Sequence, residues 1–253
     1  MATTRRDHDD EAYIGTAPLT PGEKAELLSR VKGLGNANTE ERKRNMVGGP
    51  EAIAANMKRW HAHPWHMIED GVIWTLDNVD IKTPIKQFPV SPWLRAVTDE
   101  WLEHKLLAVP KSRRMMMSWL MIYLHLWLAM FHEGVSVFMV SDSEKKSADL
   151  ITKAEFIFEH IPGNTILKPT IRSKHCLLEF PGLHSYMMGI PEGANQMRQY
   201  TATALMFDEF AFWERPAESL GAARPCIDGG GRLTIVSSPL EGPFHALCFD
   251  HIE

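Results

Sequence analysis

The chain has 253 residues, 44% of them hydrophobic and 23% charged, which is enough apolar material to bury the core of one α/β domain. A formal net charge of −5 argues against binding to nucleic acid through bulk charge, so any such contact must come from a local basic patch. Three widely spaced cysteines exclude a disulfide framework and a cysteine-rich metal knuckle, and they fit a reducing cytoplasm.

Residues 1–85 are predicted to form a separate, mostly helical region whose first dozen residues are disordered. Charged stretches alternate there with weak helical patterns. The N-terminus lacks the apolar core of a signal peptide, so we expect the protein to remain in the cytoplasm where it is made.

A cluster of aromatic residues closes this region. His61, His63 and His66 suggest a metal site, but no cysteine lies nearby and the carboxylates that follow have no recognised ligand spacing. Packing of Trp60 and Trp65 against the rest of the chain is the better interpretation.

A strand, a basic loop and a helix are predicted next. Leu106 to Val109 form a short apolar run, Lys111 begins the loop, and Ser118 opens an apolar helical segment. Phosphate-binding loops use this geometry because backbone N–H groups and the positive end of the helix face the anion. The pattern G-x-x-x-x-G-K-[ST] is absent, since no glycine lies between Val109 and Ser118. This motif alone favours an ordinary basic loop.

The apolar run from Met115 to Phe131 is near the lower limit for a membrane span. Ser118, Tyr123 and His125 interrupt it, and strand-like sequence flanks it. A helix buried beside a central sheet is therefore the preferred interpretation, and no membrane contact is expected.

Further strands follow this helix. Ser136 to Val140 reads as a buried strand. Residues 176–180 and 185–189 flank Pro181-Gly182 and predict a hairpin.

An acidic pair follows a further strand. Thr203 to Phe207 read as a buried strand that ends at Asp208 and Glu209. The carboxyl ends of strands in an α/β sheet are where ligands bind, so one carboxylate can hold Mg²⁺ and the other can polarise a water. A surface Asp-Glu pair after a core strand is the alternative.

The last predicted strand, Arg232 to Val236, ends in Ser237, Ser238 and Pro239. Its hydroxyl groups could reach a phosphate or its water. If the strands are parallel neighbours, three polar strand ends converge on one edge.

In their order and spacing, these motifs resemble the ATPase domain of the large terminase subunit, the DNA-packaging motor of tailed bacteriophages. The matching stretches are Lys111-Ser112-Arg113-Arg114 with Ser118, then Asp208-Glu209, and then Ser237-Ser238-Pro239. In that family the loop lysine often stands at the beginning of the loop, with an arginine inside it. The resemblance implies a RecA-like (ASCE) P-loop NTPase fold over residues 86–253, with a mostly parallel sheet and helices on both faces.

The resemblance also implies a site for ATP and Mg²⁺. Residues implied to contact the nucleotide are Lys111, Ser112, Arg113, Arg114, Met117, Ser118 and Asp208. Ser118 and Asp208 are implied to hold Mg²⁺, and Glu209 is implied to polarise the attacking water. Ser237 and Ser238 are implied to couple hydrolysis to movement. Gln87 and Trp93 are candidates for adenine contacts.

The catalytic arginine has several candidates. Arg198 matches an arginine that precedes the acidic pair in the family and could act as a finger on a neighbouring subunit. Pairing of Arg198 with a nearby carboxylate is the alternative. Arg113 or Arg114 could instead act within their own subunit.

The implied activity is translocation of double-stranded DNA into a procapsid. The implied partners are DNA, the portal protein, the small terminase subunit and further copies in a ring, expected to be a pentamer. The implied location is the host cytoplasm, with transient docking on the procapsid portal.

Nuclease activity is not expected, because no nuclease-type acidic cluster can be assigned before the sequence ends at Glu253. An excised domain and a split subunit both remain possible. Two other functions also stay open, another P-loop nucleic-acid motor such as a helicase core and a non-catalytic assembly scaffold.

Overall fold

The computed structural model describes residues 50–77, 79–113, 115–163 and 168–249. In this part of the chain, helices surround a seven-stranded, mostly parallel sheet. The disorder predicted for the first dozen residues and the loop residue Arg114 lie outside the described residues.

The elements are numbered in chain order. The described helices are α1 Pro50–Ala62, α2 Trp65–Glu69, α3 Pro92–Glu103, α4 Met117–Phe131, α5 Glu144–His160, α6 Ala194–Met197, α7 Pro216–Ile227 and α8 Pro243–Phe249. The described strands are β1 Trp74–Leu76, β2 Ile85–Gln87, β3 Leu106–Pro110, β4 Ser136–Ser141, β5 Arg172–Lys174, β6 Leu177–Phe180, β7 Ser185–Pro191, β8 Ala204–Asp208 and β9 Arg232–Ser237. Short 3₁₀ turns cover Pro181–Leu183 and Phe210–Phe212.

The strand order of the large sheet is β3-β9-β8-β4-β7-β6-β5. The first five strands in this order are parallel, and the β5, β6 and β7 pairings are antiparallel. Strand β9 therefore lies between β3, which precedes the basic loop, and β8, which carries the acidic pair. This arrangement confirms the predicted RecA-like α/β fold.

The sheet is buried on both faces because its strands alternate apolar residues between two cores. In β4, Val137 and Met139 pack into one core, whereas Phe138 and Val140 pack into the other. Helices α4 and α5 cover the first face, and α7 covers the second. Strands buried on both faces carry continuous apolar runs, which is why the sequence identified them.

The predicted strands at residues 106–109, 136–140, 203–207 and 232–236 are all confirmed, to within one residue at either end. The predicted hairpin is also confirmed, since β6 pairs with β7 antiparallel. Helix α4 is buried against the sheet, which agrees with the interpretation of this segment as a buried helix and not a membrane span. No helix in the described part of the chain is both long and apolar enough to cross a bilayer.

The aromatic residues before β1 pack as predicted. Trp60 and Trp65 are fully buried in the same core as α4. Trp127 Nε1 donates to the Trp60 carbonyl at 2.7 Å, and Tyr123 Oη donates to the Pro64 carbonyl at 2.6 Å. These bonds attach α1 and α2 to α4, while a domain boundary near residue 85 remains a prediction.

The hairpin of β1 and β2 was not predicted from the sequence. Its strands are only three residues long, and Asp77 and Asp80 organise the connecting turn by accepting backbone N–H bonds. Such short strands carry too little alternation to be recognised.

Gly189 in β7 permits a close approach between the sheet and α5. A Cβ atom at this position would lie 2.6 Å from the Ser147 carbonyl oxygen. Only glycine allows the strand and the helix to lie at this distance.

Candidate active site at the carboxyl edge of the sheet

Three strand ends meet at one edge of the sheet. Pro110 is in register with Ser237, and Asp208 is in register with Val236. Because β3, β9 and β8 are parallel neighbours, the polar residues that follow them lie at the same level. The convergence predicted from the sequence is therefore present.

Lys111 and Glu209 form the centre of this edge. The ammonium Nζ of Lys111 donates to Glu209 Oε1 at 2.5 Å, and the Lys111 backbone N–H donates to the Ser237 carbonyl at 2.9 Å. The other carboxylate oxygen of Glu209 faces the backbone N–H of Ser238 at 3.4 Å. Lys111 is 9% exposed, so this ion pair is partly screened from water.

Asp208 lies beside this pair and contacts the first turn of α4. The Ser118 hydroxyl donates to Asp208 Oδ1 at 2.9 Å. Burial raises the pKa of Asp208 and the charge of Glu209 adds to this effect, while the Ser118 bond and the charge of Lys111 oppose it. Burial of Asp208 therefore outweighs the stabilisation that Lys111 and Ser118 give to its charged form.

Ser118 and Asp208 fit a Mg²⁺ ion. A hydroxyl and a carboxylate are oxygen ligands of the kind that Mg²⁺ prefers, and their oxygens already lie within hydrogen-bond distance. A cation would also favour the charged form of Asp208, which burial disfavours. The donor set and the electrostatics agree with the predicted ion.

The start of α4 fits an anion. Met116 occupies the N-cap position of this 15-residue helix with φ 58°, and its side chain makes no capping bond to the first N–H groups. Helix N-termini of this kind attract phosphate. The sequence lacks the loop glycines that usually supply positive φ, and Met116 provides one such conformation instead.

Glu209 itself has an unusual backbone conformation. Its φ is 53°, in the left-handed region that non-glycine residues rarely adopt. The turn is held by Trp213 Nε1, which donates to the Asp208 carbonyl at 3.0 Å, and by Ser237 Oγ, which accepts from the Ala211 N–H at 3.0 Å. Strain at a single acidic residue is characteristic of functional sites. Sequence patterns missed Trp213 because no motif connects it to the site.

Other predicted site residues lie around this centre. Ser112 and Arg113 are exposed, and the Ser112 N–H contacts Met115 Sδ at 3.4 Å. The Met117 side chain is buried in the core, so only its backbone N–H is available to a phosphate. Ser237 is fully buried and its hydroxyl is bonded to Ala211, which leaves Ser238 as the serine nearer to Glu209.

Arg198 is not part of this cluster. It is exposed and follows α6, whose Met197 carbonyl accepts a bond from Cys226 Sγ in the last turn of α7 at 3.1 Å. Nearby, the Ala202 N–H donates to the Cys226 carbonyl at 2.9 Å. These bonds attach both ends of the 197–202 segment to the last turn of α7, and no described hydrogen bond or ion pair joins Arg198 to Asp208 or Glu209.

The two adenine candidates lie before β3. The Gln87 amide donates to the Gly71 carbonyl at 3.0 Å, and Trp93 is 38% exposed at the start of α3.

The histidines of the aromatic cluster before β1 make other contacts. His63 pairs with Asp99 at 3.2 Å and His66 with Glu69 at 2.8 Å, and the described residues contain no metal-ligand group at these histidines.

Comparisons with known proteins concern the fold. The sequence matches no family model and no curated protein. Among solved structures, the large terminase of bacteriophage HK97 is 14% identical with a TM-score of 0.50, and the match covers 74% of this chain and 37% of that one. The large terminase of a thermophilic bacteriophage is also 14% identical with a TM-score of 0.50, and the match covers 65% of this chain and 43% of that one. Over the matched region the chain has the fold of phage large terminases, as the sequence resemblance implied.

Proposed function

We propose that the chain is the Mg²⁺-dependent, ATP-hydrolysing motor domain of a viral terminase. The observation that carries this proposal is the partly buried Lys111–Glu209 and Ser118–Asp208 pairing at the carboxyl edge of a RecA-like sheet. A lysine for phosphates, a hydroxyl and carboxylate for Mg²⁺, and a second carboxylate for water are the groups that phosphoryl transfer requires.

Lys111 and Glu209 hold each other through their ion pair. The phosphate oxygens of a bound nucleotide would compete with Glu209 for the Lys111 ammonium group. Lys111 can therefore turn from Glu209 towards the phosphates. Glu209 then gains a free carboxylate oxygen that accepts a proton from the attacking water. The pair keeps both groups in place until substrate arrives.

Ser118 and Asp208 would hold the metal. When bound, Mg²⁺ supplies positive charge that neutralises the phosphates and the developing transition state. Asp208 orients the Ser118 hydroxyl before binding, and the backbone N–H groups at the start of α4 would receive phosphate oxygens.

Glu209 also connects the site to β9. Its second oxygen faces the Ser238 N–H, and the buried Ser237 hydroxyl links β9 to the 3₁₀ turn that follows Glu209. A movement of Glu209 would therefore displace the residues at the end of β9. This contact supports the assignment of Ser237 and Ser238 to coupling.

Arg198 would act on a neighbouring subunit. Its side chain is exposed and makes no described contact with Asp208 or Glu209, so it is available to a neighbouring chain. Mixing Arg198→Ala and Glu209→Gln chains tests this role, because each variant should be inactive alone. Recovery of hydrolysis in the mixture supports action between subunits, and no recovery argues against it. Arg113 and Arg114 remain the candidates within one chain.

The proposed work is translocation of double-stranded DNA into a procapsid. It requires a ring of subunits, expected to be a pentamer, with the portal protein and the small terminase subunit as partners. The proposed location is the host cytoplasm, transiently on the procapsid portal.

Hydrolysis of ATP by the purified chain tests the proposal. Activity should require Mg²⁺, rise steeply with protein concentration and respond to double-stranded DNA. Glu209→Gln should reduce it about 10²- to 10⁴-fold, the range for loss of a general base. The matched control is Glu214→Gln, an exposed glutamate in the same connection. A chain that neither binds nor hydrolyses ATP would be an assembly scaffold.

A further inference from the structure

A second group of potential ligand side chains lies at a corner of the same domain, outside the candidate active site. Glu144 is the first residue of α5, and His175 and Cys176 form the two-residue turn between β5 and β6. One potential ligand atom from each of the three residues lies within 4.8 Å of the other two. His175 Nε2 already faces Glu144 Oε1 at 3.3 Å.

The backbone around Gly189 fixes this corner. The Gly189 N–H donates to the Cys176 carbonyl at 2.8 Å, which anchors the turn to β7. The same residue lies against the Ser147 carbonyl in the first turn of α5, where a Cβ atom would be 2.6 Å from the oxygen. One glycine therefore holds the two ligand-bearing segments at a fixed separation, and such support of ligands lowers the entropy lost on binding.

Cys176 occupies a position that would suit glycine. Its φ is 58°, so the thiol is carried by a residue in a left-handed conformation.

We infer that Glu144, His175 and Cys176 form a binding site for a divalent transition-metal ion of the Zn²⁺ class. A thiolate, an imidazole and a carboxylate are the three ligand types that Zn²⁺ takes from proteins, and water would complete a tetrahedral set. Mg²⁺ and Ca²⁺ are not expected, because they prefer oxygen ligands. The ion would join the β5–β6 turn to α5 and so stabilise this end of the sheet.

An exposed ion pair between glutamate and histidine is the simpler explanation, and the chain contains a matched example. Glu100 and His104 pair at 3.2 Å on the surface of α3, and both side chains are exposed. Their helix supplies no thiol as a third ligand within the described residues. The contrast makes His104→Ala the appropriate control for His175→Ala.

Titration of the full chain with Co²⁺, in the absence of nucleotide, tests the site. We expect one equivalent to produce a thiolate-to-cobalt charge-transfer band, which Zn²⁺ then removes by displacement. Cys176→Gly should abolish the band, and His175→Ala should weaken Co²⁺ binding about 10-fold or more. Cys248→Ser and His104→Ala should leave both the band and the affinity unchanged.

The Cys176→Gly variant is expected to fold, because glycine is compatible with the φ of position 176. Loss of the charge-transfer band in this variant would therefore report loss of the metal ligand. We expect metal-free Cys176→Gly to melt at or above the temperature of the wild type, whereas Zn²⁺ should raise the melting temperature of the wild type alone. Absence of the band in the wild type, or its persistence in Cys176→Gly, would overturn the inference. The outcome is independent of ATP hydrolysis.

Discussion

Two partly buried groups of charged residues behave differently in this molecule. One lies between α2 and α3, where Arg95 pairs with Asp99 at 2.9 Å and with Glu69 at 3.8 Å. Burial opposes ionisation of Asp99, but its bond to His63 and the charge of Arg95 outweigh burial and lower its pKa. At the carboxyl edge of the sheet, burial instead prevails and raises the pKa of Asp208.

The difference separates a structural charge cluster from a candidate active site. The Arg95 cluster contains enough positive charge to lower the pKa of its carboxylates Asp99 and Glu69. The edge cluster has one buried lysine for two carboxylates, and its Asp208 is therefore poised to gain from an added cation. The two clusters are therefore distinguished by whether the fold stabilises the charged form of a buried carboxylate. The number of charged residues does not distinguish them.

Removal of Lys111 should give the largest functional effect. Lys111→Met should lower kcat/KM for ATP about 10²- to 10³-fold, equivalent to about 3 to 4 kcal/mol, because a preorganised donor to phosphate is lost. Steady-state hydrolysis at several ATP concentrations measures this change. An exposed lysine, Lys82, provides the control variant, and equal activity of Lys111→Met and wild type would contradict the assignment.

Removal of Arg95 should act on stability instead of catalysis. Arg95→Met should lower the free energy of unfolding by about 3 kcal/mol, because the carboxylates of Asp99 and Glu69 lose their buried cation. Urea denaturation measures the loss. At urea concentrations below the unfolding transition, the variant should retain its affinity for ATP. Loss of ATP affinity in a variant that is still folded would contradict the claim that the Arg95 cluster is only structural.

The close contact at Gly189 predicts a smaller loss. Gly189→Ala should destabilise the chain by about 1 to 3 kcal/mol, because the new methyl group would meet the Ser147 carbonyl. Thermal unfolding checks this value against Gly182→Ala, where an added Cβ meets no atom within 4 Å. Equal melting temperatures for the two variants would show that α5 can move away from the sheet.

The smallest effect concerns pH. A raised pKa for Asp208 means that its charged form destabilises the nucleotide-free fold at neutral pH. Asp208→Asn should therefore melt at a higher temperature than the wild type near pH 7, and this difference should shrink as the pH falls through the folded-state pKa of Asp208.

The opposite dependence is expected for Asp99. Its lowered pKa contributes stability that is present above its unfolded-state pKa and is lost as the pH falls through its lowered folded-state pKa. Melting curves of the Asp208→Asn and Asp99→Asn variants between neutral and acidic pH compare the two. Destabilisation by Asp208→Asn at pH 7 would contradict the electrostatic difference.

The sheet and its polar edge could be predicted because each parallel strand is a continuous apolar run that ends in polar residues. Lys111, Asp208 and Ser118 were identified in this way, and the structure brings them together. The turn conformations of Met116 and Glu209 could not be predicted, since tertiary contacts hold them against local preference. Trp213 was missed for the same reason, as its bond to the Asp208 carbonyl exists only after the strand and the 3₁₀ turn have packed.

The cluster between α2 and α3 was also beyond sequence patterns. Arg95 and Asp99 are one helical turn apart and look like an ordinary surface pair, yet Arg95 is 4% exposed. Its burial depends on α2, whose position is set by bonds from α4 to the preceding chain.

Calorimetric binding of ADP, with and without Mg²⁺, tests the central claim most directly when wild type is compared with Asp208→Asn. The account predicts that Mg²⁺ strengthens nucleotide binding to the wild type and has little effect on the variant, whose affinity without metal should be retained. Equal dependence on Mg²⁺ in both proteins, or no binding of nucleotide to the wild type, would contradict the claim that the uncompensated carboxylate at the carboxyl edge holds a metal–nucleotide complex.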